Sequence, residues 1–115
     1  MSQFRFNAQK VFLTYSQTKK NMNPQWILKQ IQMKAEVEEY LISQERHEDG
    51  GYHIHAYFKF VKKLDTKNSR FFDVIYYRKG YHPNVQKPKS RYKLFRYIKK
   101  DKEYITNLIV TGKQI

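Results

Sequence analysis

Two runs decide the fold: Tyr40-Leu41-Ile42-Ser43-Gln44-Glu45-Arg46 and Tyr52-His53-Ile54-His55-Ala56-Tyr57-Phe58-Lys59-Phe60, joined by His47-Glu48-Asp49-Gly50-Gly51. Both are strand-like, and Asp49-Gly50-Gly51 between them supplies the positive φ angles of a tight hairpin turn. Side chains alternate along a strand. Ile54, Ala56, Phe58 and Phe60 therefore share one face, while His53, His55, Tyr57 and Lys59 share the other. The first face is core and the second is polar and chemical. A turn centred on Asp49 sets Glu45 directly across from His53, with its carboxylate on the histidine face.

Working outward, Lys10-Val11-Phe12-Leu13-Thr14-Tyr15 reads as a first strand, followed by a polar stretch from Ser16 to Asn21. A helix follows, with Asn23 as N-cap and Pro24 at its first position; Trp26, Ile27, Ile31, Ala35 and Val37 form its apolar stripe through Glu38. Beyond the hairpin, Val61 to Ser69 reads as a lysine-rich loop or short helix, and Phe71 to Tyr76 as another strand. Gly80 marks a turn. His82-Pro83-Asn84-Val85-Gln86 fits a short edge strand, where a proline need not donate to a ladder. A second helix starts near Ser90, a candidate N-cap, and buries Leu94, Phe95 and Ile98. Ile105 to Ile115 reads as a last short element. This order predicts an α+β fold: an antiparallel sheet of about five strands with helices packed mainly on one face, related to ferredoxin-like folds.

The 115 residues fit one domain with a modest core. With no cysteine, disulfides, thiolate zinc sites and cysteine nucleophiles are excluded, so any metal must take nitrogen and oxygen ligands. No apolar run is long enough for a signal peptide or membrane span, which predicts a soluble intracellular protein with no membrane attachment. Twenty-three Lys and Arg against ten Asp and Glu give a net charge of +13, which points to a polyanionic partner. Ten Tyr and eight Phe, many beside Lys or Arg, add rings on which exposed bases stack.

His53 and His55, two apart on one strand, are close enough to share a metal ion, and the hairpin register adds Glu45 as a third ligand. Two neutral imidazoles and a carboxylate with open positions suit Mg²⁺, Mn²⁺ or Zn²⁺, a substrate phosphate completing the shell. His47 reads as a turn residue, and Glu48 and Asp49 as exposed turn carboxylates. In the second helix Tyr97 and Lys100 stand three apart and so share a face. A phenol beside an ammonium is a candidate nucleophile, and Lys100 a candidate partner for phosphate oxygens.

Phe12-Leu13-Thr14-Tyr15-Ser16, His53-Ile54-His55 and Tyr97-Ile98-Lys99-Lys100 together resemble, in order, the three motifs of replication-initiator proteins of small circular single-stranded DNA viruses. These are a branch of the His-hydrophobic-His endonucleases, and the likeness is to geminivirus-like members. Glu45-Arg46-His47-Glu48-Asp49-Gly50 is similar to the stretch supplying the third metal ligand, and Arg70-Phe71-Phe72-Asp73 and His82-Pro83-Asn84-Val85-Gln86 to segments of the geminivirus branch. The third motif departs in lacking the cysteine often found after its tyrosine and in carrying Lys99.

The resemblance implies a metal-dependent endonuclease and strand transferase. Glu45, His53 and His55 would hold Mn²⁺ or Mg²⁺, and Tyr97, assisted by Lys100, would attack single-stranded DNA at a stem-loop replication origin. A 5′-phosphotyrosine link and a free 3′-hydroxyl would start rolling-circle replication, and reversal would rejoin ends. Lys10, Tyr15 and Arg70, with Tyr57 and Lys59 on the histidine face, are the DNA-binding candidates. The resemblance also implies that residues 1–115 are the N-terminal part of a longer protein whose helicase domain is absent, since no glycine-rich phosphate loop is present. It leaves room for an oligomer of the full-length protein, and for action in a host nucleus if the agent infects eukaryotes. Two other readings share the charge and aromatics: a noncatalytic single-stranded nucleic-acid-binding module, and a metal nuclease with water as nucleophile.

Overall fold

A computed structural model of the chain describes residues 3–88, 90, 94–96 and 103–108. The elements run β1 (Phe6–Thr18), α1 (Pro24–Gln32), β2 (Val37–Arg46), β3 (Tyr52–Thr66), β4 (Val74–Tyr76), β5 (Lys79–Tyr81), β6 (Asn84–Gln86) and β7 (Glu103–Thr106). Five strands form an antiparallel sheet in the order β6-β1-β3-β2-β7, and β4 and β5 make a separate hairpin.

The β2–β3 hairpin forms as its sequence requires. Glu45 pairs with His53 and Arg46 with Tyr52. The turn closes through His47 N–H to Gly51 O at 2.8 Å and Gly50 N–H to His47 O at 3.0 Å, while Asp49 Oδ1 accepts from Gly51 N–H at 2.8 Å. Gly50 takes φ 85°, the left-handed residue that a three-residue hairpin loop needs.

α1 begins where expected, Asn23 Oδ1 accepting from Trp26 N–H at 3.0 Å and Pro24 opening the first turn. It ends earlier than the apolar spacing predicted. Val37 pairs with Phe60 in the sheet, so the last positions of the expected stripe belong to β2. A β-branched residue at a sheet edge gains more from the ladder than from one further helical turn. β3, conversely, runs past its expected end to Thr66. Phe6, Asn7 and Ala8 at the start of β1 pair with Thr66, Asp65 and Leu64, giving the lysine-rich stretch a partner. Phe71 and Phe72 lie in a turn, and the strand expected there starts only at Val74.

Val11, Leu13 and Tyr15 of β1, Ile42 of β2 and Ile54, Ala56, Phe58 and Phe60 of β3 form the main core with Ile27 and Ile31 of α1. The other face is not left open. Residues 94–96 are helical, Leu94 N–H bonding Ser90 O at 3.0 Å, and Leu94 and Phe95 cluster with Leu41 and Tyr57. By strand alternation Tyr57 shares the face of His55, so Leu94 and Phe95 pack on the face opposite α1. Among the described residues no helix is long and apolar enough to cross a membrane.

This packing corrects two of the proposed DNA contacts. Tyr15 is fully buried, and its hydroxyl donates to Phe72 O at 2.5 Å; burial also pushes its phenol pKa far up. Tyr57 is likewise buried, donating to Glu39 Oε1 at 3.2 Å with its ring edge-on to Phe95. Neither ring presents a face for a base, because each is already enclosed by its own core cluster. Tyr15→Phe is expected to cost about 1–2 kcal/mol by leaving a buried carbonyl without its donor. A lowered thermal midpoint with unchanged affinity for single-stranded DNA is the expected result; weakened DNA binding at full stability would reverse the correction.

Candidate functional site

β2 and β3 bring Glu45, His53 and His55 to one end of the sheet on a single face. Glu45 Oε1 lies 3.2 Å from His55 Nε2 and 3.1 Å from His47 Nε2. The His47 and His53 rings stack with centroids 3.7 Å apart. His55 is buried, standing between Ser43 and Thr14 in the ladder, with the Phe12 ring stacked at 6.1 Å. Burial, with the neighbouring His47 and His55, lowers the pKa of His53, which favours the neutral imidazole that a cation requires.

His47 makes side-chain contacts that its place in the turn did not announce. Its backbone closes the turn, as expected of a turn residue. Its ring, just past the end of β2, nonetheless reaches Glu45 and stacks on His53.

Among the described residues no three His, Cys, Asp or Glu side chains already stand together as a metal-ligand set. Glu45 is engaged with two imidazoles, and the His53 ring lies on His47 instead of turning toward the carboxylate. The donor chemistry nevertheless fits a cation. Adjacent ligands at about 2.1 Å from one ion sit about 3 Å apart, close to the 3.2 Å between Glu45 Oε1 and His55 Nε2. For His53 to join them, its ring would have to rotate off His47.

The remaining sequence-predicted residues distribute unevenly. Lys10 pairs with Lys59 across β1 and β3, on the histidine face, and Lys59 Nζ meets Glu38 Oε2 at 2.7 Å. Arg70 lies in the turn before β4 and lines a separate cleft with Asp73 and His82. Tyr97 and Lys100 lie outside the described residues.

A family model for the geminivirus Rep catalytic domain matches residues 4–110. The chain belongs to that family. Among relatives of this Rep catalytic domain, Replication-associated protein A of Miscanthus streak virus (isolate 91) is 36% identical over 99 residues, covering 84% of this chain and 43% of the relative. Replication-associated protein of the same virus is also 36% identical over 99 residues, covering 84% of this chain and 27% of the relative. Replication-associated protein A of Sugarcane streak virus (isolate South Africa) is 44% identical over 63 residues, 54% of this chain and 19% of the relative. The chain thus spans less than half the length of these relatives.

Proposed function

We propose that this Rep catalytic domain nicks and rejoins single-stranded DNA at a stem-loop replication origin, through a covalent bond to Tyr97, to start rolling-circle replication. Glu45, His53 and His55 would hold Mn²⁺ or Mg²⁺, which when bound polarises the scissile phosphate. The Tyr97 oxygen forms a bond to phosphorus as its proton leaves. The bond from phosphorus to the 3′ oxygen breaks, and that oxygen takes up a proton as the free 3′-hydroxyl. Attack of a 3′-hydroxyl on the phosphotyrosine reverses the exchange, so the energy of the phosphodiester is conserved. Lys100 steadies the phosphate oxygens, and Lys10, Lys59 and Arg70 hold the backbone of the strand.

The observation that carries this reading is the packing of Leu94 and Phe95 on Leu41 and Tyr57. Phe95 lies 5.1 Å, ring to ring, from Tyr57. Tyr57 is two residues beyond His55 on the same face of β3. The noncatalytic reading loses support, because Tyr15 and Tyr57 are enclosed and no longer provide a stacking platform. The test is to incubate the chain with labelled origin-like single-stranded DNA and Mn²⁺ and look for an adduct that survives denaturant. Absence of any adduct, across sequences and cations, ends the proposal; cleavage without an adduct favours water as nucleophile.

His47, which touches both Glu45 and His53, acts in this reading by orienting them. Removing such an outer partner ordinarily weakens metal binding about 10- to 100-fold. His47→Ala is expected to lower Mn²⁺ affinity on that scale in a calorimetric titration, with the fold intact because the turn's closing bonds are backbone bonds. Unchanged affinity would reduce His47 to its turn.

A further inference from the structure

Behind the histidine face lies a cleft of about 540 Å³ whose walls include Lys20, Asn23, Gln44, Arg46, Tyr52 and Glu103. Its position follows from the register. Arg46 pairs with Tyr52 next to the Glu45–His53 pair, and Gln44 pairs with Glu103 of β7. Alternation turns these residues to the opposite face at the same end of the sheet. The cleft and the reactive cluster are therefore back to back.

Two of its amides are held in place. Gln44 Nε2 donates to Lys20 O at 2.9 Å and to Met22 O at 3.4 Å, fastening the β1–α1 loop to β2. Asn23 Oδ1 caps α1. These bonds leave Gln44 its carbonyl oxygen as acceptor and Asn23 its amide N–H groups as donors, a pairing suited to the edge of a base. Tyr52 adds an aromatic ring. Lys20 and Arg46 supply the cations that a phosphate backbone needs. Glu103 is the discriminating group. A carboxylate repels phosphate, but it accepts from the exocyclic amino group of cytosine or adenine, which thymine lacks.

We propose that this cleft binds one amino-bearing base of the single-stranded DNA, a few nucleotides from the phosphate at the histidine cluster. The proposal rests on the nicking reading for its substrate class. A sheet with its side chains is about 10 Å thick, and a stacked strand rises about 3.4 Å per nucleotide. About three nucleotides carry the strand around the hairpin end from one face to the other.

The test is fluorescence anisotropy of the whole chain in EDTA, where no cleavage contributes, with labelled homopolymers of dC, dA and dT about 15 nucleotides long. The wild type should prefer dC and dA over dT by about tenfold. Glu103→Gln, a change at an exposed strand position, should shrink that preference to about twofold because an amide both donates and accepts. Arg46→Ala should weaken all three about equally and flatten the salt dependence by about one counterion. No wild-type preference, or the same preference in Glu103→Gln, overturns the proposal. The Mn²⁺-dependent adduct is scored separately on the wild type. Adduct without base preference sinks the cleft alone, and base preference without adduct sinks the nicking alone.

Discussion

Tyr97→Phe is expected to abolish the denaturant-stable adduct and to slow strand scission by more than about a thousandfold, while Mn²⁺ and DNA still bind. The substitution removes one oxygen. That atom is, in the proposed exchange, the only one that bonds to phosphorus from the protein side, so no neighbour replaces it. A thousandfold corresponds to about 4 kcal/mol of barrier, within the range seen when a nucleophile is removed from an otherwise intact site. The proposed ligands belong to β2 and β3 and do not change, so a calorimetric Mn²⁺ titration should return the wild-type affinity. The comparison also separates the two nuclease readings. Scission that continues at the wild-type rate in Tyr97→Phe means that water does the attacking, and Tyr97 then has no covalent role.

The hairpin was legible to the residue because two independent rules agreed there. Asp49-Gly50-Gly51 fixed the turn, and the period of two fixed which side chains faced which way. Glu45 opposite His53 followed from both. Elsewhere one rule acted alone and was overruled. The apolar spacing from Trp26 to Val37 fits a helix, but Val37 finds a strand partner in Phe60, and no property of residues 24–38 announces that partner. The same holds for residues 61–66, whose strand character comes from the start of β1 more than fifty residues earlier.

At the site, alternation told which face Tyr57 and His55 share but not what lies on that face. The cover is Leu94 and Phe95, distant in sequence, and the apolar pair was read as the buried side of a helix without its docking partner being identifiable. Tyr15 was misjudged for the same reason: its ring was assigned to binding from its chemistry, whereas Phe72 and the main core enclose it. His47 is legible as a turn residue, its backbone closing the hairpin with Gly50 and Gly51, whereas its ring contacts with Glu45 and His53 are not.

That docking partner is where a remote substitution should have its largest effect. Phe95→Ala removes the ring that rests on Tyr57 beside Leu41. Truncating a buried phenylalanine costs about 3–5 kcal/mol where the whole fold depends on it. Here the loss falls on a contact that ties a helical segment to an otherwise complete sheet, so part of it is spent as local detachment and not as global unfolding. The expected result is therefore a split. Mn²⁺ affinity should stay within about twofold, since Glu45, His53 and His55 keep their register. The rate of adduct formation should fall about 100-fold, the usual consequence of displacing a reacting group by about 1 Å. Phe95→Leu, which keeps an apolar plug, should recover most of that rate. If Phe95→Ala forms the adduct at the wild-type rate, the packing on Tyr57 does not position Tyr97, and the nucleophile must be held by other contacts.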